Sequence, residues 1–370
     1  MASSTQDQYH TGGVGDEWSR NHCLSEYEQL DLLGEGAFGW VHKFRCRRTK
    51  ELFAIKKFKV NNNNEGIPVP TCREIALLSE LKHDNVIALS RIFTEPAQKS
   101  LYLVFPIAEN DLSHIINKHR EENFPIPASM VKSFMWQLLD GVHYLHSNWI
   151  MHRDLKPSNI MVMNDQKEKG VLKIGDFGLA RIFQDPGRPL HDDGRVVTVW
   201  YRAPELLLGA KHYTAAVDVW SLGCIFGELM TRSPMFQGPI PEKETKQLEK
   251  VVAKMGEVTS DTWPESIYLP NWHYMEAIHP PTPLQPILPN TSTHGKYCQH
   301  AADLLQKMLT YNPAQRITAS AALDHEYFKT DPRPVLSAFT LPDCRYTNYP
   351  RPRKSQATSK KSSVGGKGNG

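Results

Sequence analysis

Three glycines, Gly34, Gly36 and Gly39, interrupt a run in which apolar and polar residues alternate, and a second run of this kind follows. The first run is SEYEQLDLLGEGAFGWVHKFRCRR, which contains the glycines, and residues 51–60 (ELFAIKKFKV) form the second. Alternation of this kind is typical of β-strands, and glycines between two strands are typical of a hairpin turn. A dinucleotide-binding fold has its glycine motif between a strand and a helix, so the pattern disfavours that fold. It predicts instead a β-hairpin whose backbone N–H groups can approach phosphates without side-chain clash.

The spacing of apolar residues along the chain changes near Glu109. Before this residue, residues 68–82 have apolar residues at helical spacing, and strand patterns occur near residues 86–93 and at residues 101–107. After it, helical spacing recurs in three longer segments, at residues 128–148, 215–231 and 301–312. The sequence therefore predicts an α+β fold, with a sheet-rich small lobe, a helical large lobe and a cleft between them.

The formal net charge of +3 is unevenly distributed along the chain. Residues 344–370 hold seven basic residues and no acidic ones, so the remaining residues are mildly acidic. A nucleic-acid-binding domain normally carries basic residues on its folded surface, and we therefore expect no direct nucleic-acid binding. The chain has no apolar run of about 18 residues and no signal-peptide pattern, and its six cysteines form no CxxC pair. We expect a soluble intracellular protein without a membrane span, a zinc site or a disulfide scaffold.

Motifs that suit phosphate chemistry follow the glycines in a fixed order. Lys56 lies on the second predicted strand and Glu74 on the first predicted helix, where a carboxylate can orient the ammonium towards phosphates. Residues 152–159 (HRDLKPSN) follow a helix, and residues 176–178 (DFG) follow a strand. The order is completed by Ala203, Pro204 and Glu205 and then by Asp218 and Arg316.

Each motif alone has an ordinary explanation. A strand lysine such as Lys56 is usually a solvated edge residue, Asp218 could be a structural acid in a buried helix, and Arg316 could lie at the surface. Their joint occurrence in one order makes a chance arrangement negligible. From about residue 27 to residue 328, the sequence closely resembles the eukaryotic protein kinases.

This resemblance implies a two-lobed kinase fold and a role for each motif residue. It assigns Asp154 to the proton of the substrate hydroxyl and Lys156 to the charge of the γ-phosphoryl group. It assigns Mg2+ to Asn159 and Asp176. The residues that it implies for ATP, including these two metal ligands, are Leu33, Gly34, Glu35, Gly36, Ala37, Phe38, Gly39, Val41, Ala54, Lys56, Glu74, Phe105, Pro106, Ala108, Asp111, Asn159 and Asp176. For Asp111 a helix N-cap is the alternative interpretation.

Within the kinases, the sequence resembles the cyclin-dependent group. Residues 68–74 (PVPTCRE) stand where this group has its cyclin-binding helix, and Val196, Val197 and Arg202 align with a pocket that prefers proline after the phosphorylated Ser or Thr. Stretches such as HSNWI and GAKHYT are similar to the Mediator-associated, cyclin C-dependent branch. The motif DFG is similar to plant and fungal members of that branch, whereas residues 240–295 depart from it.

The resemblance also implies a regulatory site. Arg73, Arg153 and Arg181 align with three arginines that bind an activation-loop phosphothreonine, and Asp193 stands in place of that threonine. A carboxylate carries about half the charge of a phosphate, so Asp193 could order the loop in part. The alternative is that Asp193 is a solvated loop acid.

These observations together predict the organisation and the function of the chain. We expect a flexible segment at residues 1–26, a small lobe at 27–108, a large lobe at 109–330, and a Pro-rich and then basic disordered tail at 331–370. We expect a nuclear cyclin-dependent Ser/Thr kinase of the Mediator kinase module that phosphorylates Ser/Thr-Pro sites in the RNA polymerase II tail and in transcription factors. A different proline-directed kinase and a largely structural subunit remain alternatives. The exact cyclin, the substrates, any additional activating subunit, and the role of the basic tail stay open.

Overall fold

The computed structural model describes residues 24–36, 39–59, 69–95, 100–165, 167–183, 199–239, 244–279 and 296–344. The chain divides into two compact units. The first takes its described residues from Met1–Asn62 and Ser90–Phe105, and the second takes them from Asn63–Leu89 and Pro106–Gly370. The first unit is built on a β-sheet and the second is mainly helical, which confirms the predicted α+β fold class.

The first unit contains one five-stranded sheet, in the order β1-β2-β3-β5-β4. Its strands are β1 (Tyr27–Gly36), β2 (Gly39–Cys46), β3 (Leu52–Lys59), β4 (Arg91–Glu95) and β5 (Ser100–Pro106), and a 3-10 turn at Leu24–Glu26 precedes them. β1 and β2 form the predicted glycine hairpin, and β2 pairs with β3 in antiparallel register. One face of the sheet carries a buried core of Tyr27, Phe44, Cys46, Ile55, Tyr102 and Val104.

The second unit contains ten helices and two small sheets in its described residues. The helices are α1 (Val69–Glu80), α2 (Leu112–Glu121), α3 (Ala128–Ser147), α4 (Pro204–Leu207), α5 (Ala216–Thr231), α6 (Glu244–Met255), α7 (His273–Glu276), α8 (Lys296–Met308), α9 (Ala319–Leu323) and α10 (Glu326–Lys329). The strands are β6 (Asn110–Asp111), β7 (Ile150–Met151), β8 (Ile160–Met163), β9 (Val171–Ile174) and β10 (Arg181–Ile182), in the orders β6-β8-β9 and β10-β7. The 3-10 turns are Pro157–Asn159, Phe177–Leu179, Val199–Tyr201, Pro264–Tyr268 and Ala338–Thr340.

Two central helices confirm their sequence predictions. In α3, five apolar residues at helical spacing are all buried: Val131, Phe134, Leu138, Val142 and Leu145. In α5, every residue from Val217 to Leu229 is buried, as expected for a helix that is apolar on all sides. None of the described helices combines the length and the apolar character that crossing a bilayer would require.

The predicted strand near residues 86–93 is wrong in its extent. Val86 forms an isolated bridge to Ile174 in the second unit, and the Ile87 N–H donates to the Ile174 carbonyl at 2.9 Å. β4 begins only at Arg91 and belongs to the first unit. The apolar run at residues 86–93 therefore contributes to two different sheets, because Val86 pairs with Ile174 of β9 and the residues from Arg91 form β4. Its sequence alternation alone does not predict this division.

A segment from residue 330 to residue 344 packs along α3. The Lys132 ammonium is buried and donates to the Thr330 carbonyl at 2.8 Å and to its hydroxyl at 3.1 Å. At the start of α3, the Ser129 hydroxyl donates to the Asp343 carboxylate at 2.5 Å. Burial lowers the pKa of Lys132 to about 8. We refer to residues 330–344 as the C-terminal strap.

Candidate active site

The loop at residues 152–159 brings the predicted catalytic pair together. The Lys156 ammonium donates to Asp154 Oδ2 at 2.8 Å, and the Asn159 side-chain amide donates to the same oxygen at 3.0 Å. Asn159 also donates to the Asp154 backbone carbonyl at 2.7 Å. Because both side-chain contacts use Oδ2, the carboxylate is held with Oδ1 directed away from them. Such a fixed carboxylate, beside a cation, can align a hydroxyl group.

Asp218 of α5 binds the backbone at the start of the loop at residues 152–159. Its carboxylate accepts hydrogen bonds from the backbone N–H groups of His152 at 2.9 Å and Arg153 at 2.8 Å, and it contacts His146 Nε2 at 2.9 Å. Burial alone would raise the pKa of this carboxyl group, but the hydrogen bond and charge of His146, with help from His152 and Arg153, hold the pKa below its ordinary value. Asp218 is thus a buried structural acid, as one of the sequence interpretations stated.

Asp218→Asn is expected to destabilise the protein by about 1–3 kcal/mol at neutral pH, because an amide nitrogen would face backbone donors. The folded carboxyl group stays ionised at a pH where the unfolded chain takes up a proton. The ionised carboxyl group therefore contributes fully to the free energy of unfolding above its ordinary pKa of about 3.9. This contribution is lost as the pH falls through the lower pKa of the folded state. Urea midpoints measured between neutral and acidic pH should show the two proteins converging at acidic pH. Asp140→Asn is the control, since its contact with His83 is longer, at 3.4 Å, and partly exposed; an equal loss in both variants would contradict this account.

His152 connects the loop to the DFG segment, a role that the sequence analysis missed. Its buried ring contacts the Gly175 carbonyl through Nε2 at 2.8 Å and accepts from the Asp154 N–H through Nδ1 at 3.3 Å. The ring also packs edge-on against Phe177, with centroids 5.1 Å apart. Its place directly before Arg153 and Asp154 is the signal that could have identified it. The histidine therefore holds the loop at residues 152–159 next to the DFG segment.

Asn159 and Asp176, the predicted metal ligands, are also linked through the backbone. The N–H of Gly175, which precedes Asp176, donates to the Asn159 carbonyl at 2.9 Å. Asp176 is exposed and has a left-handed backbone, with φ 59°. Both amide hydrogens of Asn159 are used towards Asp154, which leaves its amide oxygen for another partner. An amide oxygen and a carboxylate are donors that suit Mg2+, so these residues fit the metal.

Two of the three predicted regulatory arginines are placed by the pairing of β7 with β10 in the second unit. Arg181 lies on β10, and Arg153 comes just after the end of β7. Arg181 of β10 is paired with Met151 of β7, two residues before Arg153. The Arg153 guanidinium lies over the Tyr213 ring at 5.5 Å, and its buried Nη1 has no hydrogen-bond partner within the part of the chain that the structure describes. Arg73 lies on α1, which packs against the turn Phe177–Leu179. A buried guanidinium N–H group of this kind is suited to donate a hydrogen bond to a bound anion.

In the first unit, one face of the sheet carries the predicted ATP residues. Val41 of β2 is paired with Lys56 of β3, and Ala54 lies two residues before Lys56, so all three share a face opposite to Ile55 and the core. Phe105 has the corresponding parity on β5, opposite to Tyr102 and Val104. The Lys56 ammonium lies 4.8 Å from the Phe58 ring centroid. The alternation along these strands separates a core face from a face with the residues that are predicted to bind ATP.

The glycines of the hairpin differ in what surrounds them. A Cβ added at Gly39, where φ is 153°, would lie 1.8 Å from the Lys57 carbonyl oxygen, so this position requires glycine. A Cβ at Gly34 would meet no atom of the described residues within 4 Å, and the space that these residues leave beside the backbone suits a ligand such as a phosphate group. The Glu35 carboxylate accepts from the Trp40 indole at 2.9 Å, and Leu33 is half-buried.

The remaining predicted ATP residues lie in or at the edge of the second unit. Asp111 is the N-cap of α2 and accepts from the His114 N–H at 2.9 Å and from the Ser113 hydroxyl, so the N-cap interpretation is confirmed, and its ribose contact stays a prediction. Pro106, at the end of β5, and Ala108 are half-buried, and Glu74 is buried on α1. The predictions on Ala37, Phe38, Asp193, Val196 and Val197 lie outside the described residues.

Glu205 and Arg316 form a buried ion pair, so Arg316 does not lie at the surface. Arg316 Nη1 and Nη2 contact the two carboxylate oxygens at 2.8 and 2.9 Å. The other three N–H groups of the guanidinium donate to backbone carbonyls, so all five donors are satisfied. The group also lies 5.2 Å from the Trp220 ring centroid. The pair joins the APE segment to the C-terminal part of the unit.

Comparison with known proteins places this arrangement in context. Residues 27–328 match the protein kinase domain family. The chain is 45% identical over 363 residues to cyclin-dependent kinase E-1 of Arabidopsis thaliana, covering 94% of this chain and 75% of that protein. It is 47% identical over 320 residues to the probable cyclin-dependent kinase 8 of Dictyostelium discoideum, covering 84% and 82%. It is 40% identical over 349 residues to the serine/threonine-protein kinase SSN3 of Yarrowia lipolytica, covering 89% and 83%.

Proposed function

This chain belongs to the protein kinase family and is a serine/threonine protein kinase, and we propose that it is a cyclin-dependent member acting in the nucleus within the Mediator kinase module. The observation that carries the catalytic part is the contact of Lys156 and Asn159 with one oxygen of Asp154. The relatives named cyclin-dependent kinases support the dependence on a cyclin.

Kinase domains use ATP and a divalent metal ion, and we assign this metal as Mg2+. Asn159 and Asp176 would hold it through oxygen atoms, and the metal would neutralise phosphate charge when bound. We assign the phosphates of ATP to the open face at Gly34 and to the ammonium of Lys56, with Glu74 as the residue that orients Lys56. The other sequence-assigned residues, from Leu33 to Asp111, would contact the rest of the nucleotide.

The substrate hydroxyl would be aligned by Asp154. Its carboxylate is held through Oδ2, and Oδ1 can accept the hydroxyl proton. The substrate hydroxyl oxygen would then bond to the γ-phosphorus of ATP as the bond from that phosphorus to the β-phosphate oxygen breaks and ADP leaves. Lys156, at 2.8 Å from the carboxylate, supplies positive charge where the transferred group is negative. The chemistry therefore consists mostly of alignment and charge neutralisation, because the transferred group carries spread negative charge.

The substrates that we propose are Ser/Thr-Pro sites, in the RNA polymerase II tail and in transcription factors. Val196, Val197 and Arg202 would shape the pocket for the proline. Arg73, Arg153 and Arg181 would bind an acidic group, for which Asp193 of this chain is the first candidate. The buried Nη1 of Arg153 supports this assignment. We also propose the lobe boundaries 27–108 and 109–330.

The partner that we propose is a cyclin of the C type, bound to α1. Cys72 is exposed on this helix and Ile75 is half-buried. Ile75→Glu is expected to weaken cyclin binding by about 10-fold or more and to reduce peptide phosphorylation in parallel, because an unpaired charge would be buried in the interface. The measurement is binding of the purified full chain to a C-type cyclin, with phosphorylation of a Ser-Pro peptide recorded for the complex and for the chain alone.

Ile75→Val is the matched control, since it keeps an apolar side chain on the same helix, and it should bind as the wild type does. Thermal midpoints of the three proteins show whether the introduced charge has disturbed folding rather than binding. The proposal of cyclin dependence fails if the chain alone is as active as the complex. Activity with another cyclin but not with a C-type cyclin would favour the alternative of a different proline-directed kinase, and binding without any activity would favour a structural subunit.

A further inference from the structure

The turn Val199–Tyr201, which directly precedes Arg202, is held by α5. The Tyr201 hydroxyl donates to Glu228 at 2.6 Å, and the Ser221 hydroxyl donates to the Tyr201 carbonyl at 2.8 Å. Glu228 and Ser221 both belong to α5, and all three residues are buried. The turn is therefore fixed to the central helix of the second unit, with little freedom of its own.

The second support comes from α6. Arg202 Nη1 donates to Glu244 Oε1 at 3.0 Å, at the first residue of that helix. One turn further, the Gln247 side-chain amide donates to the Phe236 carbonyl at 2.8 Å and to the Trp200 carbonyl at 3.4 Å. The Arg202 side chain is 16% exposed and the Glu244 side chain 42% exposed. The contact between Glu244 and Arg202 therefore lies near the surface of the second unit, with the arginine as the more buried partner.

An arginine side chain that is free of contacts samples many rotamers, and ordering it costs entropy. A carboxylate that accepts from one N–H group fixes the plane of the guanidinium and lets the other donors face a defined direction. Arg202 is one of three residues that we assign to the proline pocket. Proline is the residue without a backbone N–H, so a pocket that selects it depends on how the surrounding polar groups are oriented.

We propose that Glu244 is a positioning residue for substrate selection, which sets the preference for proline after the phosphorylated residue by holding Arg202. This inference rests on the proposed function, because it deepens the assignment of Arg202 to the proline pocket. Glu244 acts through the arginine and does not itself contact the proline. Glu244 lies 42 positions after Arg202, outside the sequence motifs that carry the kinase resemblance.

The test compares Glu244→Gln with Glu249→Gln in the purified cyclin complex. Glu249 is a matched control, because it lies on the same helix, is also 42% exposed and pairs with Lys246 rather than with Arg202. The measurement is kcat/KM for two peptides that differ only in having proline or alanine after the serine. We expect the proline-to-alanine ratio to fall about 10-fold in Glu244→Gln, because the hydrogen bond from Arg202 would then go to a neutral amide oxygen and would lose the attraction of the carboxylate charge, and to stay unchanged in Glu249→Gln.

A second arm separates a positioning role from a direct contact. In an Arg202→Ala background, Glu244→Gln should cause no further change in the ratio, because the residue through which it acts is gone. The inference is overturned if the ratio of Glu244→Gln equals that of the wild type. It is also overturned if that variant keeps its preference for proline and instead loses a preference for basic residues in the peptide. If the wild type itself does not prefer proline, the proposed proline pocket is wrong, which is a different result.

Discussion

Asp176→Asn is expected to reduce phosphoryl transfer on the order of 10^3-fold or more, because charge stabilisation by a bound metal is worth several kcal/mol. An amide oxygen is a much weaker ligand for Mg2+ than a carboxylate. The fold should tolerate the change. Asp176 is exposed and has a φ of 59°, and asparagine adopts this left-handed conformation more readily than most residues do. The variant therefore removes the charge and keeps the backbone.

The measurement is phosphorylation of a Ser-Pro peptide by the purified variant with its cyclin, alongside thermal midpoint and cyclin binding. Asp165→Asn is the control, because Asp165 is another exposed acid of the second unit, with contacts to the N–H groups of Lys167 and Glu168. It should retain wild-type activity. Activity in Asp176→Asn that matches the control would remove Asp176 from the metal site.

Glu205→Ala is expected to destabilise the second unit by about 3–5 kcal/mol, the usual effect of removing one partner from a buried ion pair. The two side chains are 0% and 3% exposed, for Arg316 and Glu205 respectively. Loss of the carboxylate would leave an uncompensated buried charge. Because the guanidinium stacks over Trp220, tryptophan fluorescence can follow the unfolding of this region.

The comparison is the urea midpoint of Glu205→Ala against that of Glu326→Ala. Glu326 pairs with Lys329 at 3.2 Å, and both side chains are more than half exposed, at 62% and 51%. A pair of this kind contributes about 0–1 kcal/mol, so the control should unfold almost as the wild type does. If the two variants lose the same amount, the buried pair does not stabilise the fold more than an exposed pair does.

Short sequence motifs indicate the candidate site residues, whereas the contacts that support these residues come from the fold. Asp154, Asn159 and Asp176 lie in short motifs whose spacing identifies them, and the kinase resemblance that they carry is confirmed by the family match. His152 and Glu244 were missed, because their roles depend on contacts with Gly175 and with Arg202 that fold topology creates. Local patterns report which residue types are present, whereas long-range hydrogen bonds become visible only in three dimensions.

The strength of the local signal explains the success at α3 and the error near residue 86. A long helix with one periodic apolar face leaves a strong local signal, since each residue of that face contributes to it. A short apolar run such as residues 86–93 has no such repetition, and its division between two sheets depends on which partner strand is near. Tertiary contacts decide such cases.

The C-terminal strap determines where a shortened version of this protein can end. The family match stops at residue 328, yet the oxygens that accept from the buried Lys132 ammonium belong to Thr330. An expression boundary drawn at the end of the shared domain would leave that ammonium without these acceptors and would expose the side of α3 that Ser129 and Phe134 share with residues 339–343. The contacts that cover α3 in this kinase therefore continue beyond the region that matches its family.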